Sequence, residues 1–297
     1  SITPGLRYEY IATSANGDYR ITYNDLAGNL IFDTVTNVQR ENNRGFVIGG
    51  IGLNYKLSED IEAYANYSQN YRSVNFTDMQ IRNPNFKIDP ILKDEIGFNS
   101  DIGIRGNIDN KFYLDASVFY LFYNNRIGTT IEVDSNLYNT YQYRTNISES
   151  RTIGLETMVE ADWFKIISQG HGNPKNKFSS FVNFAYNNAK YISSDQTAFY
   201  RKDVELVPPI VLKTGLSIGN EHFSLSYQYS FTKEHYSDAT NSTSSTNAVV
   251  GLIPDYKTMD ISGKINYKEF QIEFGVNNLS NEIYYTRRAT AYPGPGI

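Results

Sequence analysis

The sequence predicts an all-β fold, an antiparallel transmembrane β-barrel with short turns at one end and long loops at the other. Apolar and polar residues alternate with period two over nearly the whole chain, as expected for strands with one apolar and one polar face. Short polar turns also alternate with long polar segments, which is typical of outer-membrane barrels. The 297 residues include no cysteine, so a disulfide framework and a thiolate metal site are excluded.

The strands are predicted from this alternation and from the turns that bound it. Phe223, Leu225 and Tyr227 alternate with Ser224 and Ser226, for example. About eleven strands can be placed in this way, and many exceed the ~9–11 residues that a tilted strand needs to cross a bilayer. They are predicted at 3–11, 44–57, 61–72, 92–106, 111–124, 150–163, 178–190, 208–219, 222–235, 256–268 and 270–278.

The connections differ in length from one end of the predicted sheet to the other. Short turns are predicted at 58–60, 107–110, 220–221 and 268–269, and the link 164–177 is a longer exception. Long polar loops are predicted at 12–43, 73–91, 125–149, 191–207, 236–255 and from 279 onward. If the chain is an outer-membrane barrel, the short turns are periplasmic and the long loops face outward.

One face of the predicted strands carries charged residues. With no helices to cover the other face, either two sheets bury their apolar faces together or one sheet closes with those faces toward lipid; the number and length of the strands favour closure. A mean hydropathy of −0.46 and the lack of a long apolar run argue against membrane-spanning helices. The charged residues predicted to point inward are Glu95, Asp101, Asp115, Glu156, Glu160, Lys213, Asp260, Lys264 and Glu273.

Several segments resemble the TonB-dependent receptors in that family's order. The segment 4–10, PGLRYEY, is similar to a recurrent strand, and Asn146 followed by Gly154 and Glu156 resembles the strand that descends from a long loop. The stretches 71–72, 83–84 and 92–97 resemble another shared region. The segment 275–285, GVNNLSNEIYY, is close to the family's sequence before its last strand.

The resemblance implies the C-terminal portion of a barrel of about 22 strands that is filled by an N-terminal plug. It also implies energy from the TonB–ExbB–ExbD complex, contacted through the plug, and a place in the outer membrane of a Gram-negative bacterium. Compared with this domain organisation, residues 1–297 are expected to be a partial barrel domain, without the plug and the final strand. Membrane lipid and lipopolysaccharide are expected as surroundings, and a monomer is expected.

No catalytic, cofactor or metal site is predicted. His171, His222 and His235 are scattered through the sequence without the spacing of metal ligands. Glu156 and Glu160 share one face of a strand, but no nucleophile accompanies them, so these two glutamates are interpreted as lining of the lumen. Acidic character and the lack of a basic stripe argue against nucleic acid. An enzyme is therefore not expected.

Arginines gather on the long-loop side, where a ligand would arrive: Arg40, Arg44, Arg72, Arg82, Arg126, Arg144, Arg151, Arg201, Arg287 and Arg288. Guanidinium groups suit anionic, carboxylate-rich ligands, but such arginines can equally pair with neighbouring acids or bind lipopolysaccharide. The residues predicted to bind ligand are Arg72, Arg82, Arg126, Gln142, Arg144, Arg201, Arg287 and Arg288; Gln142 and Arg144 lie where ferric citrate receptors of the family place loop contacts.

The function predicted from these features is import of a ferric chelate, such as ferric citrate or a siderophore. TonB-dependent import of cobalamin or a glycan remains open at this point. So does a structural or adhesive barrel, or a soluble β protein that binds carbohydrate. The haem-importing branch of the family has a histidine between the segments that are matched by 71–72 and 83–84. This chain has no histidine there, which argues against haem as the cargo.

Overall fold

Eleven strands form one antiparallel meander in which every strand pairs with its neighbours along the chain. The computed structural model describes residues 1–24, 27–79, 86–134, 139–168, 175–193, 198–243, 251–288 and 290–292. The strands of the meander are β1 (Ile2–Asn24), β2 (Leu30–Lys56), β3 (Ile61–Arg72), β5 (Glu95–Ile108), β6 (Phe112–Asp134), β7 (Asn139–Asp162), β8 (Lys177–Ser193), β9 (Ile210–Gly219), β10 (Phe223–Thr232), β13 (Tyr256–Tyr267) and β14 (Phe270–Val276).

Short elements occupy the connections of the meander. β4 (Phe86–Ile88) pairs in parallel with β7, β11 (His235–Tyr236) pairs with β12 (Leu252–Ile253), and β15 (Tyr284–Arg287) pairs with β16 (Thr290–Tyr292). The helices are α1 (Phe76–Met79) and α2 (Trp163–Ile167), and α2 lies within the longer link at 164–177. No helix in the described ranges is long and apolar enough to cross a membrane.

The prediction of loops at 12–43 and 125–149 was wrong over most of both ranges. The first is a continuation of the β1–β2 hairpin, paired from Ile2 with Leu53 to Asn24 with Leu30. The second is a continuation of the β6–β7 hairpin, which pairs as far as Asp134 with Asn139. Both ranges are rich in Asn, Asp, Thr and Gly, which are typical of loops, so the sequence indicated loops although backbone pairing continues through them.

The register places the predicted inward charges on a single face of the sheet. Residues directly opposite each other in an antiparallel pair share a face. The pairs Arg72 with Glu95, Asn66 with Asp101 and Arg105 with Asp115 lie on that face. The remaining residues predicted to point inward lie on the same face: Glu156, Glu160, Lys213, Asp260, Lys264 and Glu273. The predicted polar face is therefore confirmed.

The opposite face is apolar and remains exposed across the sheet. Its middle is mainly aliphatic, with Ile102 65%, Val118 50% and Leu216 50% exposed, although Tyr227 and Tyr229 of β10 also lie there. Aromatic residues lie on the same face at each end of the strands, for example Phe112 and Tyr120 in β6 and Phe223 and Phe231 in β10.

The spacing of these aromatic residues matches a bilayer. The pairs Phe112 with Tyr120, Phe178 with Tyr186 and Phe223 with Phe231 are each eight residues apart. Eight residues at ~3.4 Å span about 27 Å along a strand, or about 20 Å across the membrane at the usual tilt of a barrel strand. An exposed aliphatic band between two aromatic girdles is the outer surface of a transmembrane barrel.

The short turns between strands are closed by polar side chains. Ser58 Oγ accepts hydrogen bonds from the backbone N–H groups of Asp60, at 3.3 Å, and Ile61, at 3.1 Å. Asn220 Oδ1 accepts from the N–H groups of His222, at 2.8 Å, and Phe223, at 3.1 Å. These bonds let the chain reverse within a few residues, so one end of the sheet consists of tight turns, apart from the link at 164–177.

Gly154, in the motif that resembles the family's descending strand, is held under an aromatic ring. A Cβ at this position would lie 2.2 Å from Phe119 Cζ and 2.7 Å from the backbone oxygen of Tyr186. We expect Gly154→Ala to destabilise the folded protein by about 1–3 kcal/mol through overpacking, measured by urea unfolding in lipid. Gly5→Ala is the control on the same face, where the nearest atom to a Cβ is 4.0 Å away; equal stability of the two variants would contradict the expectation.

Candidate functional site

The described parts of the connection between β3 and β5, residues 73–79 and 86–94, pack against the long-loop ends of the strands and are called the segment 73–94 below. Its strand β4 pairs in parallel with β7, Phe86 opposite Gln142 and Ile88 opposite Arg144. The pairing is possible because β8 meets β7 only from Glu149 onward, which leaves the edge of 139–148 open. The segment thereby becomes part of the wall at the outer end, and the site described below is built around it.

Asp78 is the centre of a buried ionic cluster that fastens this segment. It is 1% exposed and accepts from Arg144 Nη2 at 2.5 Å and from Arg72 Nη2 at 3.0 Å. The other Arg72 nitrogen, Nη1, lies 2.8 Å from Glu95 Oε1, and the Ile127 N–H donates to the same oxygen at 2.9 Å. One arginine therefore bridges a strand acid and a loop acid, and a second arginine joins the cluster from β7.

The charge state of Asp78 follows from these contacts. Burial acts to raise the pKa of its carboxyl group, but hydrogen bonds from Arg144 and the Asn75 N–H, together with the charge of Arg72, outweigh burial, and the pKa lies below its usual range. The Asp78 N–H in turn bonds to Asn75 Oδ1 at 3.1 Å. This reciprocal cap is the one sequence signal, Asn-x-x-Asp at 75–78, that could have marked Asp78 in advance.

A second cluster fastens both ends of the same segment. Arg44 Nε lies 2.7 Å from Asp94 Oδ2, and Arg44 Nη2 donates to the Val74 carbonyl at 2.7 Å. The Val74 N–H donates to Asp94 Oδ1 at 2.7 Å, and the Tyr71 hydroxyl also donates to Asp94. The start and the end of the segment are therefore joined to β2 through one ion pair.

Asn146, which belongs to the motif that resembles the family, connects its own strand β7 with two other backbone segments at the outer end. Its Nδ2 donates to the carbonyls of Lys93, at 2.9 Å, and Asn125, at 2.6 Å, and its Oδ1 accepts from the Lys93 N–H at 2.8 Å. An amide serves here because it donates and accepts at once. The structure thus gives this motif residue a role in positioning the segment 73–94 against β6 and β7.

Arg126 lies in a separate buried cluster with Tyr191 and Glu205. The side chain of Tyr191 is fully buried, and its hydroxyl donates to Glu205 Oε2 at 2.5 Å. The charges of Tyr191, Glu205 and Glu95 act on the Arg126 guanidinium, whose Nε is buried without a hydrogen-bond partner. Arg126 is therefore half-buried in the wall, with its Nε atom covered.

The other predicted ligand residues are spread around the outer end. Arg201 is exposed, with its guanidinium 5.2 Å from the Tyr200 ring centre, and Gln142 is exposed on β7. Arg288 Nη1 donates to the Leu252 carbonyl at 3.0 Å. Arg287 lies in β15, its side chain outside the described positions, and Arg82 lies outside the described residues altogether. The structure thus brings Arg72 and Arg144 together, and leaves Arg201 and Arg288 apart from them.

A polar cavity of about 580 Å³ opens between the β2 arm and the segment 73–94. Arg40 borders it and donates to the carbonyls of Ile88, at 3.2 Å, and Asp89, at 3.3 Å. Amide, acidic and apolar side chains complete its lining: Asn37, Gln39, Glu41, Asn42, Val74, Met79, Pro90 and Leu92. Such a lining can hold a hydroxylated or carboxylated ligand of moderate size.

A second concavity lies lower on the polar face. It has a volume of about 460 Å³ and is lined by Tyr64, Asn70, Asn99, Asp101, Ser117, Phe119, Leu121 and Glu156. The acidic residues Asp101 and Glu156 are therefore wall residues of an open polar channel face.

The histidines do not come together in the described part of the chain. His222 sits in a short turn with its side chain 76% exposed. His235 is buried in β11, and burial lowers its pKa, although a contact with the Lys233 carbonyl acts the other way. His171 lies outside the described residues. Among the residues described, no group of three His, Asp or Glu side chains could hold a metal ion.

A continuous antiparallel meander with a lipid-suited outer face and a polar inner face defines the wall of a transmembrane β-barrel. A family model for the TonB dependent receptor-like β-barrel matches residues 1–279. The chain belongs to this family, whose members are receptors and transporters. No curated protein matches the sequence closely enough to count as a relative.

Solved structures of the same fold cover almost the whole chain. The unliganded ferric citrate transporter FecA is 18% identical, with a TM-score of 0.67 over 99% of this chain. The siderophore receptor PiuA from Acinetobacter baumannii is 17% identical, with a TM-score of 0.69 over 99%. The ferric yersiniabactin receptor FyuA from Yersinia pestis is 16% identical, with a TM-score of 0.64 over 99%. The chain spans 41%, 39% and 41% of these structures, respectively.

Proposed function

We propose that this chain is part of an outer-membrane active transporter that imports a ferric chelate in a Gram-negative bacterium. The observation that carries the proposal is the pairing of family membership with the two-faced sheet. A polar inner face gives a hydrophilic ligand a path, while the apolar outer face lies against lipid. The protein makes and breaks no covalent bond in this function.

The proposed transporter contains more than residues 1–297. The chain is assigned to the C-terminal part of the barrel domain, and a plug elsewhere in the same protein fills the lumen and contacts the TonB–ExbB–ExbD complex. The support is the coverage of about two fifths of each related structure. The proposed receptor works as a monomer, since one barrel encloses a complete path.

A ferric chelate is the proposed substrate class. Three of the solved structures with this fold carry names that refer to ferric citrate, a siderophore and ferric yersiniabactin. In this chain, the amide-rich cavity beside Arg40 offers donors for the carboxylates or hydroxyls of such a chelate. Cobalamin or a glycan are the alternative cargoes that the test below separates.

The ligand contacts are proposed at two kinds of position. Gln142 and Arg201 are exposed and can meet a ligand directly. Arg72 and Arg144 keep 36% and 23% of their side chains accessible while they hold Asp78, so they can meet a ligand and fasten the wall at once. Arg82, Arg126, Arg287 and Arg288 remain proposed contacts with less support, since the Nε atom of Arg126 is buried and Arg288 binds the Leu252 carbonyl.

Uptake by cells that lack the gene tests the proposal. The deletion strain is expected to lose growth on one ferric chelate as sole iron source and to lose uptake of that chelate labelled with radioactive iron, and the full-length gene restores both. Ferric citrate, catecholate and hydroxamate siderophores, cobalamin and a glycan are compared in parallel. Unchanged uptake of every ferric chelate, with loss of cobalamin or glycan uptake, would contradict the proposed cargo.

A further inference from the structure

One edge of the β2 arm, over residues 30–49, has no strand beside it. β2 pairs with β1 as far as Leu30, but β3 pairs with β2 only from Gly50 onward. No other strand of the described residues pairs with this stretch. Where the pairing with β3 stops, the Gly49 N–H donates to Gln69 Oε1 at 2.9 Å. The rest of the arm therefore presents an open strand edge at the outer end.

The register shows which backbone groups point toward this open edge. Ser1 and Asn54 exchange two hydrogen bonds, of 2.6 and 3.0 Å, so Asn54 and the other even-numbered residues of β2 point their N–H and C=O groups toward β1. The pairing with β1 has no bulge along this part of β2. The odd-numbered residues Asn37, Gln39 and Glu41 therefore point their backbone groups the other way. Within the described residues, none of these groups has a backbone partner at the open edge.

The cavity of about 580 Å³ lies directly against these backbone groups. Its lining includes the consecutive residues 39–42, which alternate between the two faces of β2, so the cavity borders the strand edge itself. Val74, Met79 and Leu92 line it from the segment 73–94. Val74 and Met79 are buried together with Ile127, and Leu92 packs against them. The cavity is therefore a slot with a strand edge on one side and an apolar wall on the other.

The backbone groups in this slot match a peptide and not a simple anion. An anion accepts hydrogen bonds from the N–H groups of Asn37, Gln39 and Glu41 but leaves their carbonyl groups without donors. An extended peptide offers donors and acceptors at the same repeat of ~7 Å, and it spans the edge from 37 to 42, about 17 Å long, with about five or six residues. The segment 73–94 already uses this kind of contact, since β4 adds to the open edge of β7.

We propose that the imported ligand has a linear peptide portion, which binds in this slot as an added strand on β2. The inference rests on the proposed function, because it names the organic part of the imported chelate. The inner face of the added strand meets Val74, Met79 and the Arg40 guanidinium, which favours apolar and acidic side chains there. The outer face lies beside the exposed Glu41, which favours a basic side chain.

Binding of a fluorescent hexapeptide to the purified full-length receptor tests the added strand. The probe is a capped, iron-free peptide in which valine alternates with serine and lysine, and fluorescence anisotropy gives its Kd. Gln39→Pro removes the central donor of the open edge without removing a hydrogen bond to β1. Asn16→Pro is the control, because Asn16 lies opposite Gln39 and its N–H points to the other edge of the hairpin.

The two proline variants are expected to differ. Gln39→Pro leaves a peptide carbonyl without its donor, so we expect it to weaken binding of the probe about tenfold or more. Asn16→Pro is expected to bind the probe as the parent does. Equal binding by the parent and both variants, or no binding by the parent, would overturn the proposal.

Two N-methylated versions of the probe test the hydrogen bonds from the side of the ligand. Alternate N–H groups of an extended peptide point to opposite sides, so methylation at the odd or at the even positions blocks one side only. We expect one version to bind the parent about tenfold more weakly or worse and the other to keep its affinity. Equal affinities of the two versions would overturn an added strand. This comparison uses the parent protein, so it decides the question even if Gln39→Pro does not assemble.

The results separate this inference from the transport proposal. Peptide binding is measured on purified receptor without iron, whereas chelate uptake is measured in cells. Absence of probe binding together with normal uptake of a ferric chelate overturns the peptide slot alone. Probe binding that depends on Gln39, together with no uptake of any ferric chelate, supports the slot and contradicts the proposed cargo.

Discussion

Replacing Asp78 with alanine is expected to release the segment 73–94 from the outer end of the barrel. Asp78 is 1% exposed and faces the guanidinium groups of Arg72 and Arg144, so its loss leaves two partly buried charges without their shared partner. We expect a cost of about 3 kcal/mol, the lower end of the usual range because Arg72 retains Glu95. Hydrogen exchange of the amides at 73–79 and 86–94 is expected to accelerate about 100-fold.

Two variants decide whether the buried charge is the cause. Asp33→Ala removes a carboxylate that is also 2.5 Å from an arginine, Arg20, but that pair is on the surface, and no change in exchange is expected at 73–94. Asp78→Asn keeps the shape and the cap to Asn75 while removing the charge, so it is expected to behave like the alanine variant. Unchanged exchange in both Asp78 variants would show that the other contacts, namely β4, the Arg44–Asp94 pair and Asn146, hold the segment without Asp78.

An arginine at Val118 is expected to impair assembly of the receptor in a bilayer. Val118 is 50% exposed in the aliphatic band, between Ile102 and Leu155 on the neighbouring strands. A basic residue near the middle of a lipid-facing strand costs about 2–4 kcal/mol, whereas the same change on a solvated sheet costs within about 0.5 kcal/mol. The free energy of unfolding of the full-length receptor in lipid vesicles measures the difference.

The neighbouring residue supplies the control for that experiment. Ser117 precedes Val118 and points to the polar face, where it lies opposite Glu156. Ser117→Arg is therefore expected to leave stability within about 0.5 kcal/mol of the parent, since its charge meets water and a carboxylate. Equal stability of the Ser117 and Val118 variants would mean that the exposed apolar face does not lie against lipid.

The number of strands and the face on which each side chain lies could be predicted from the sequence, whereas the lengths of the strands could not. The eleven strands and the inward position of residues such as Asp101 and Lys264 follow from local alternation. The hairpin arms at 12–43 and 125–149 were missed because their many polar residues are typical of loops. In the second arm even a buried face, with Ile127 and Ile147, was not recognised as strand. Pairing in these arms is decided by the partner strand alone.

The candidate site was predicted only in part, for a related reason. The arginines were recognisable as a group, but Arg72 and Arg144 face Asp78, Arg126 is half-buried near Glu205, and Arg151 turns outward. Asp78 and Asp94, the carboxylates that fasten the segment 73–94, had no signal beyond the short cap at Asn75. Ion pairs between residues that are tens of positions apart in the sequence depend on the register of the strands. A local sequence pattern does not determine that register.

The sequence by itself determined a two-faced antiparallel sheet, because lipid on one side and a polar lumen on the other impose opposite polarity on successive residues. The resemblance of its ordered motifs to the TonB-dependent receptors then indicated the family. Only the tertiary structure decided which charges meet and where each one points. Asp78 and Arg144 are 66 residues apart, and a shift of one residue in register would send every side chain of a strand to the opposite face.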